Sequence, residues 1–410
     1  MSNAPQRVSI IGAGHAGGAV AALLRQYGHK GAITLIGDEA IAPYQRPPLS
    51  KAWLKGEADA DSLALKPLAF YADNGIDFRP GVEAVSLDRN DKAVRLSDGE
   101  TVAYDLLILA TGARALTLPV EGGDLSGVLS LRTAADAEAL KAQIGPGKKL
   151  AVIGGGYIGL EVAASGRALG AEVVVVEREA RILARVACET LSDFFTEHHQ
   201  KHQVAFELGC SVVALEGRGG QVTGVKLADG RLIVCDAVVV GVGAAPNDKL
   251  ANAAGLECAD GVVVDLDARS VTDRSVFAIG DVARRPMPIY ARMFRMESVP
   301  NALEQARQAA CAITGRPRPN GECPWQWSDQ FDVKLQIAGY AFDADEIIVR
   351  GDPSAASFAV FHLKGDQIQS VEAINAPPEF MMGKQLILSR RRVDKARLAD
   401  SACSMKEVGV

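Results

Sequence analysis

The chain has 410 residues, a net charge of −6 and a pI near 5.7. Hydrophobic residues make up 48% and charged residues 23%. This composition is typical of a globular protein of two to four domains, and it excludes a disordered chain. The mild acidity gives no general attraction to nucleic acid or anionic lipid. The start, MSNAPQ, has no signal-peptide pattern and no apolar run approaches 18 residues, so we expect a cytoplasmic protein without nucleic-acid or membrane partners.

A strand, a glycine loop and a helix follow one another at the start of the chain, in RVSIIGAGHAGG and AVAALLRQYG. Gly12 permits a tight turn, Gly14 lets a pyrophosphate approach the backbone, and Gly17 lets helix and strand pack closely. The next strand, AITLIG, ends at Asp38, whose carboxylate can accept hydrogen bonds from a ribose. One such loop is weak evidence for a dinucleotide site.

The same pattern recurs at residues 148–177, in KKLAVIGGGYIGLEVAASGRALGAEVVVVE. Gly154, Gly156 and Gly159 form the loop, and Glu177 closes the following strand. Two copies with an acid at the expected spacing predict two dinucleotide-binding domains with parallel sheets.

Each glycine loop has a later apolar strand that we expect to return to its sheet. These strands are YDLLILATGARAL, which reaches its small-residue loop at Ala110, and CDAVVVGVGAAPN, whose loop holds Gly243. A third strand, in SVTDRSVFAIGDVAR, ends at Asp281, which is placed to hold a polyol or phosphate chain or to cap the next helix.

The seven cysteines are odd in number, and none lies closer than 12 residues to another. We therefore read neither a CxxC dithiol nor a metal site and expect buried free thiols.

Two dinucleotides in one chain indicate that one passes electrons to the other, and the usual pair is a tightly held flavin with an exchanging nicotinamide. Glu177 would hydrogen-bond an unmodified ribose and repel a 2′-phosphate, which favours NADH over NADPH. Arg178 and Arg181 follow closely and could soften that preference.

Several segments together resemble the flavin-dependent ferredoxin reductases of bacterial oxygenase systems, which have the glutathione reductase fold. They are GAGHAGG, GDE at 37–39, PYQRPPLSK at 43–51, ATGAR, GGGYIGLE, AIGD, ESVPNALEQA at 297–306 and PWQWSDQ at 324–330. The resemblance runs from residue 7 to about residue 390 and rests on all of these segments together.

The resemblance implies an FAD site and an NADH site. It places Gly12, Gly14, Ala16 and Asp38 around the ADP half of FAD, and Lys51, Val82, Arg132, Asp281, Val299 and Trp327 at flavin-contacting positions. It assigns NADH to Gly154, Gly156, Ile158, Gly159 and Glu177.

The resemblance also gives a meaning to the segment PPLSK at 47–51. Glutathione reductase relatives keep a redox-active cysteine pair there, whereas this chain has none. Reduced flavin must then pass electrons directly and singly to an outside acceptor. Lys51 and Glu161 resemble the catalytic ion pair that the family places beside the flavin, where a cation favours the reduced ring.

After about residue 320, alternating strands with short turns and the helix-like PEFMMGKQLILSRRR predict a small antiparallel sheet with a helix. We therefore expect an α/β fold with two Rossmann-like domains and a C-terminal α+β domain. The expected boundaries are 1–113 and 247–319 for FAD, 114–246 for NAD, and 320–410 for the last domain.

A basic cluster of Arg390, Arg391, Arg392, Lys395 and Arg397, together with Arg292 and Arg295, stands out on an acidic chain. We predict that the patch around Arg295 and Arg390–Arg397 steers an acidic two-iron two-sulfur ferredoxin, although a solvated charge run is the simpler alternative.

The predicted reaction is hydride transfer from NADH to FAD, followed by single-electron transfer to a ferredoxin that supplies a haem-thiolate monooxygenase. Alternatives are a rubredoxin reductase, the reductase of an aromatic-ring dioxygenase system, and a redox-controlled flavin protein of the apoptosis-inducing-factor type. A cysteine-dependent oxidase or peroxidase is disfavoured, because the first cysteine is Cys188.

Overall fold

The computed structural model describes residues 6–410. Their α-helices are α1 (His15–Gln26), α2 (Ala60–Leu63), α3 (Leu68–Asp73), α4 (Ala134–Lys141), α5 (Tyr157–Ala168), α6 (Glu189–Lys201), α7 (Lys249–Ala253), α8 (Val299–Thr314), α9 (Pro377–Ser389) and α10 (Lys395–Ala399). Short 3₁₀ turns include Pro47–Ser50 and Gly280–Val282.

The strands of the first half are β1 (Val8–Ile11), β2 (Ile33–Gly37), β3 (Ile76–Pro80), β4 (Ala84–Asp88), β5 (Ala93–Leu96), β6 (Thr101–Ala103), β7 (Leu106–Leu109), β8 (Ala113–Ala115), β9 (Val128–Leu129), β10 (Lys149–Ile153), β11 (Glu172–Glu177), β12 (Val204–Leu208) and β13 (Val212–Arg218). Those of the second half are β14 (Gln221–Leu227), β15 (Leu232–Val234), β16 (Ala237–Val240), β17 (Ala244–Pro246), β18 (Val262–Val263), β19 (Val276–Ala278), β20 (Ala283–Met287), β21 (Arg292–Arg295), β22 (Trp325–Gln330), β23 (Val333–Gly339), β24 (Glu346–Asp352), β25 (Ser357–Lys364) and β26 (Gln367–Ile374).

The chain divides into two compact units. Unit 1 contains residues 6–45, 60–114 and 245–322, and unit 2 contains residues 46–59, 115–244 and 323–410. The four-segment division expected from the sequence stays a prediction.

Unit 1 is built on a parallel sheet of order β19-β7-β1-β2-β3. Its strands are nearly continuous apolar runs, as expected for a sheet covered on both faces. Ile10 of β1 lies opposite Leu35 of β2, and Val20 and Leu24 of α1 pack into the same core. The carboxyl ends of these strands lie at one edge, so the loops that follow them meet there.

Unit 2 contains a second parallel sheet, of order β12-β11-β10-β16-β9, and a C-terminal antiparallel sheet of order β22-β23-β26-β25-β24. Leu160 of α5 and Phe195 of α6 share a core with Leu335 and Val360 of the antiparallel sheet. Helix α9 packs on that sheet and ends before the arginines at 390–392. Two Rossmann-like parallel sheets and a C-terminal α+β domain confirm the predicted fold class.

Candidate functional site

The first glycine loop turns between β1 and α1 with almost no free space. Gly12 has φ +104°, and a Cβ on it would lie 2.2 Å from the Ala110 carbonyl oxygen. A Cβ on Gly17 would lie 1.9 Å from the Gly12 oxygen. Gly14 is the N-cap of α1 and offers no side chain to cap the helix. The N-terminal N–H groups of α1 therefore have no side-chain cap at the N-cap position, as a phosphate-binding helix requires.

Unit 1 collects the other predicted residues of this loop at the carboxyl edge of its sheet. Asp38 is exposed directly after β2, and the Val82 N–H donates to the Gly37 oxygen at 2.9 Å. Asp281 is half-buried in the turn after β19, and Val299 begins α8. The buried Ala16 is close to this turn, because a Cβ on Gly280 would lie 3.1 Å from its methyl group.

Sequence reasoning missed the buried polar groups that hold this edge. The fully buried Gln305 accepts the Gly280 N–H at 2.8 Å. Arg285 donates to both oxygens of Glu304, at 2.9 and 3.1 Å, and both side chains are buried. Asn301 accepts from Arg285 at 3.2 Å. The available sequence signal was the set of polar residues in NALEQ at 301–305, because polar side chains on the buried face of a helix need hydrogen-bond partners.

The second glycine loop, in unit 2, repeats the first. Gly154 has φ +107°, and a Cβ on it would lie 2.5 Å from the Gly241 oxygen. A Cβ on Gly159 would lie 2.2 Å from the Gly154 oxygen. Gly156 is the uncapped N-cap of α5, and a Cβ there would meet nothing within 4 Å. The loop is closed by packing on its inner side and open at the helix N-terminus.

Further predicted residues line the same loop. Glu177 ends β11, and its carboxylate accepts the Gly155 N–H at 2.7 Å and the Glu179 N–H at 2.9 Å. Ile158 is 48% exposed on the first turn of α5. Gly243 follows β16 with φ +119°. A carboxylate, an exposed apolar side chain and a glycine turn of positive φ are thereby brought to one edge of the second sheet.

Lys51 and Glu161 form a close ion pair in unit 2. The Lys51 ammonium donates to Glu161 Oε2 at 2.5 Å, and the lysine side chain is 18% exposed against 2% for the glutamate. Ser50 Oγ donates to the same oxygen at 2.5 Å, and Ser328 Oγ donates to Oε1 at 2.7 Å. The Ser50 carbonyl accepts from Ser165 at 2.6 Å, which fixes the segment on α5. Glu161 is thus a buried carboxylate with donors on both oxygens, as a buried charge requires.

The contacts of Glu161 extend through a buried hydrogen-bonded chain. The Gln330 side-chain amide donates through Nε2 to Ser328 Oγ at 3.1 Å, and its Oε1 accepts from His199 Nε2 at 2.8 Å. Burial lowers the pKa of His199 to about 4, while its bond to Gln330 opposes that shift. Ser328 and Gln330 belong to the segment PWQWSDQ, but the sequence alone predicts no role for them. Their spacing of two residues on one strand was the available signal, because it puts both on one face.

The neutral state of His199 predicts a pH-dependent stability of unit 2. The unfolded histidine takes a proton near pH 6.5, whereas the folded one does so only near pH 4. The stability contributed by the neutral ring is present above pH 6.5 and is lost as the pH falls towards 4. Between pH 7 and pH 5 we expect the native chain to lose about 2 kcal/mol more of its free energy of unfolding than a His199→Gln variant.

Tryptophan fluorescence during urea unfolding measures this effect, because Trp53, Trp325 and Trp327 all belong to unit 2. A Gln200→Ala variant serves as the control, since this exposed, uncharged side chain is next to His199 on the same helix, and it should keep the native pH dependence. Equal pH dependence in the His199→Gln and native chains would contradict the prediction.

The other residues predicted to contact the flavin lie in unit 2. The Arg132 N–H donates to Asp136 at 2.9 Å, and the Arg132 carbonyl accepts from Arg46. Trp327 is half-buried, 5.5 Å from Trp325 between ring centroids. The structure therefore groups Arg132, Lys51 and Trp327 in one unit and the first glycine loop in the other.

The cysteines are free thiols. Burial raises the pKa of Cys188 to about 12 and the pKa of Cys235 and Cys258 to about 11. These three side chains are protonated at neutral pH and are poor nucleophiles. The segment that follows Arg46 supplies a serine and a lysine to Glu161 in place of a dithiol.

Three cations of the predicted basic patch have acidic partners. Arg295 is only 9% exposed and pairs with Asp260 at 3.1 Å and Glu297 at 2.5 Å. In unit 2, Lys395 pairs with Glu346 at 2.5 Å, and Arg397 pairs with Asp394 at 3.6 Å. Arg391 donates to the Gly409 oxygen. Within residues 6–410, Arg390 and Arg392 are exposed and have no acidic partner.

Among the described residues, no helix has the length and apolarity needed to cross a membrane.

Comparison with known proteins matches the chain to two family models. Residues 6–306 match the pyridine nucleotide-disulphide oxidoreductase family, and residues 325–409 match the reductase C-terminal family.

Similar proteins match over nearly their whole length. A probable ferredoxin reductase of Castellaniella defragrans is 52% identical over 409 residues, covering 100% of both chains. Putidaredoxin reductase of Pseudomonas putida is 40% identical over 411 residues, covering 99% of this chain and 97% of the relative. The crystal structure of a covalent putidaredoxin reductase–putidaredoxin complex superposes with a TM-score of 0.96 at 40% identity, covering 99% of this chain and 98% of the solved one.

Proposed function

The chain belongs to the pyridine nucleotide-disulphide oxidoreductase family, and from this membership we propose that it is an NADH-dependent flavoprotein that reduces a ferredoxin. It is an NAD(P)H-dependent flavin oxidoreductase that uses FAD and NAD(H). The observation that carries the ferredoxin assignment is the buried Lys51–Glu161 pair in a segment without cysteines. A flavin enzyme without a dithiol needs an acceptor outside the chain.

The residues present fit both nucleotides. Each glycine loop has a helix N-terminus without a side-chain cap, and its inner glycines have no room for a Cβ. We assign FAD to the loop of Gly12, Gly14 and Gly17 with Asp38, and NADH to the loop of Gly154, Gly156 and Gly159 with Glu177. FAD supplies the chemistry, since it takes two electrons from a nicotinamide and releases them one at a time.

Lys51 and Glu161 are the proposed catalytic pair. The buried Glu161 carboxylate keeps the Lys51 ammonium charged and aimed, and a fixed cation stabilises negative charge at the flavin without reorganisation of solvent. Ser50 and Ser328 hold the carboxylate from either side. The proposed role of the protein is therefore electrostatic, and no side chain exchanges electrons.

The surroundings of Glu177 support NADH as the reductant. Its carboxylate lies at the mouth of the loop, where it would repel a 2′-phosphate. Arg178 pairs with Glu179 at 3.0 Å, and Arg181 donates to Ser192 and to the Ala184 and Ala187 oxygens. The Arg181 guanidinium is therefore committed, whereas the 78% exposed Arg178 is held only weakly by its exposed partner, so the softening considered from the sequence rests on Arg178.

Reduction of a supplied acceptor tests the function. We expect the purified protein to be yellow and to reduce a two-iron two-sulfur ferredoxin with NADH, and to do so roughly tenfold or more faster than with NADPH. A panel of ferredoxins and a rubredoxin, followed by absorbance, measures the rates. Reduction of ferricyanide but of no ferredoxin would refute the acceptor class, and faster reduction of rubredoxin would favour the alternative acceptor. The haem-thiolate monooxygenase downstream stays a prediction.

The exposed guanidiniums of Arg390 and Arg392 are the best-supported part of the proposed docking patch, because acidic groups pair with much of the rest. We expect an Arg390→Gln/Arg392→Gln variant to raise the KM for an acidic ferredoxin roughly threefold to tenfold at low salt. Arg397→Gln is the matched control, because Asp394 already pairs with that side chain. Ferricyanide reduction should be unchanged in both variants. A ferredoxin KM unaffected by the double substitution and by added salt would refute electrostatic docking here.

A further inference from the structure

A strongly basic cavity lies in unit 1. It has a volume of about 360 Å³ and is lined by Asp267, Ala312 and four arginines, Arg269, Arg274, Arg316 and Arg318, which we call the arginine cavity. An adjoining cavity of about 410 Å³ shares Arg269 and Arg274 and adds Lys92 and Asp105. Cationic side chains outnumber carboxylates around both, on a chain whose net charge is −6.

The arginine cavity is distinct from the nucleotide loops. The adjoining cavity is lined by Leu106, the first residue of β7, and Ser275, which directly precedes β19. These residues mark the amino ends of parallel strands, whereas the first glycine loop and Asp281 follow their carboxyl ends. The two sites therefore lie at opposite edges of one sheet.

Arg269 is a partly buried cation without a direct acidic partner. Its guanidinium donates to the Arg274 carbonyl at 2.7 Å and the Ala312 carbonyl at 3.4 Å, and it lies 4.3 Å from the centre of the Phe277 ring. No carboxylate of the described part of the chain forms an ion pair with it. Burial, together with the neighbouring Arg274 charge, lowers its pKa. These contacts fix the guanidinium and leave three of its five N–H groups without an acceptor among the described residues.

The remaining arginines are exposed, and two of them form exposed ion pairs. Arg274 is 71% exposed and pairs with Asp265 at 2.8 Å, and Arg318 pairs with Asp267 at 3.3 Å. Arg316 lies over the Tyr27 ring at 4.5 Å. Exposed ion pairs of this kind contribute little, so a more highly charged anion can replace them.

The carbonyl end of α8 offsets only part of this charge. Ala312 lies in its last turn, and a helix C-terminus carries about half a negative charge. Four guanidiniums face two carboxylates, Asp265 and Asp267, and one helix end, which still leaves an excess of positive charge in a concave site.

We propose that the arginine cavity binds a small anion with two or more linked phosphate groups, either inorganic pyrophosphate or the diphosphate of a nucleotide. Planar guanidiniums bind phosphate oxygens in pairs, which lysines do not. A diphosphate supplies enough oxygens for Arg269 at the base and for the three arginines at the rim. This inference does not rest on the proposed reductase function.

Calorimetric titration of pyrophosphate into the FAD-loaded protein tests the proposal. The test variant is Arg274→Gln/Arg316→Gln/Arg318→Gln, which keeps the partly buried Arg269 and with it the fold. We expect its Kd for pyrophosphate to rise at least about 30-fold, since each charge-assisted contact is worth up to roughly tenfold. Arg218→Gln, an exposed arginine in unit 2, is the control and should bind as the native chain does.

Separate titrations of ADP and inorganic pyrophosphate distinguish the two sources of the ligand, and an arginine-dependent Kd for either supports the proposal. The KM for NADH should not change in the triple variant, which shows that the second glycine loop is intact. Failure of the native chain to bind either pyrophosphate or ADP, or equal binding of both ligands by the triple variant, overturns the proposal. Loss of ferredoxin reduction without any change in pyrophosphate binding would also overturn it and assign the cavity to an acidic protein.

Discussion

Replacement of Lys51 by methionine is expected to leave FAD bound and to slow its reduction by NADH roughly 100-fold, the usual effect of removing one preorganised electrostatic contact from an active site. Methionine keeps most of the length of the lysine and removes its charge. The Glu161 carboxylate, 2% exposed, would then keep only the hydroxyls of Ser50 and Ser328. Breaking a buried ion pair on one side costs about 3–5 kcal/mol, so the local structure also weakens.

Anaerobic stopped-flow absorbance measures the loss of yellow colour after mixing with NADH. Lys55→Met is the matched control, because this lysine lies four residues further along the chain and, among residues 6–410, its ion pair is with the exposed Glu57 at 2.7 Å. In the Lys55→Met variant, NADH should reduce the bound FAD at the native rate. A Lys51→Met protein that retains FAD and is reduced as fast as the control would remove the pair from the mechanism. A Glu161→Gln variant should be slowed less, because it keeps the hydrogen-bonded shape and loses the charge.

The glycine loops could be predicted because their geometry is encoded in residue type. Positive φ values near +104° and +107° at Gly12 and Gly154 are accessible to glycine and disfavoured for other residues. The acidic residue at the end of the following strand lies at a fixed spacing from each glycine loop and adds a second sequence signal. The C-terminal sheet could also be predicted, since apolar and polar residues alternate in β23, from Val333 to Ile337.

The network around Glu161 could not be predicted as a network, because it joins distant parts of the chain. Ser50 and Glu161 are 111 residues apart, and Glu161 and Ser328 are 167 apart. A serine has no distinctive sequence pattern, and its role depends on the carboxylate that the fold brings to it. The same limit applies to the arginine cavity, whose four arginines come from two separate segments, 269–274 and 316–318.

For a related reason, the sequence overestimates the positive charge that a basic cluster offers to a partner protein. The sequence shows how many arginines lie near one another, but their acidic partners come from elsewhere in the chain. Asp260 is 35 residues from Arg295, and Glu346 is 49 residues from Lys395. Each pairing reduces the field available to a partner protein. Only the folded chain therefore separates Arg390 and Arg392 from the rest of the run.

Substitution of alanine for glycine in the two loops is expected to separate the two cofactors. A Cβ at Gly12 would lie 2.2 Å from the Ala110 oxygen, so the Gly12→Ala chain must shift backbone at the first loop and should purify without yellow colour. We expect a loss of about 1–3 kcal/mol in the stability of unit 1. Gly154→Ala, 2.5 Å from the Gly241 oxygen, should stay yellow but lose reduction by NADH.

The ratio of flavin to protein absorbance and the rate of NADH-dependent bleaching together measure this separation. Gly321→Ala is the control, because its backbone dihedral is unstrained and a Cβ there meets nothing within 4 Å. Far-UV circular dichroism should remain native in the Gly12→Ala protein and so distinguish lost flavin from global unfolding. A colourless Gly154→Ala protein beside a yellow Gly12→Ala protein would reverse the assignment of FAD and NADH to the loops. Two yellow proteins with native reduction rates would show that neither loop holds a dinucleotide.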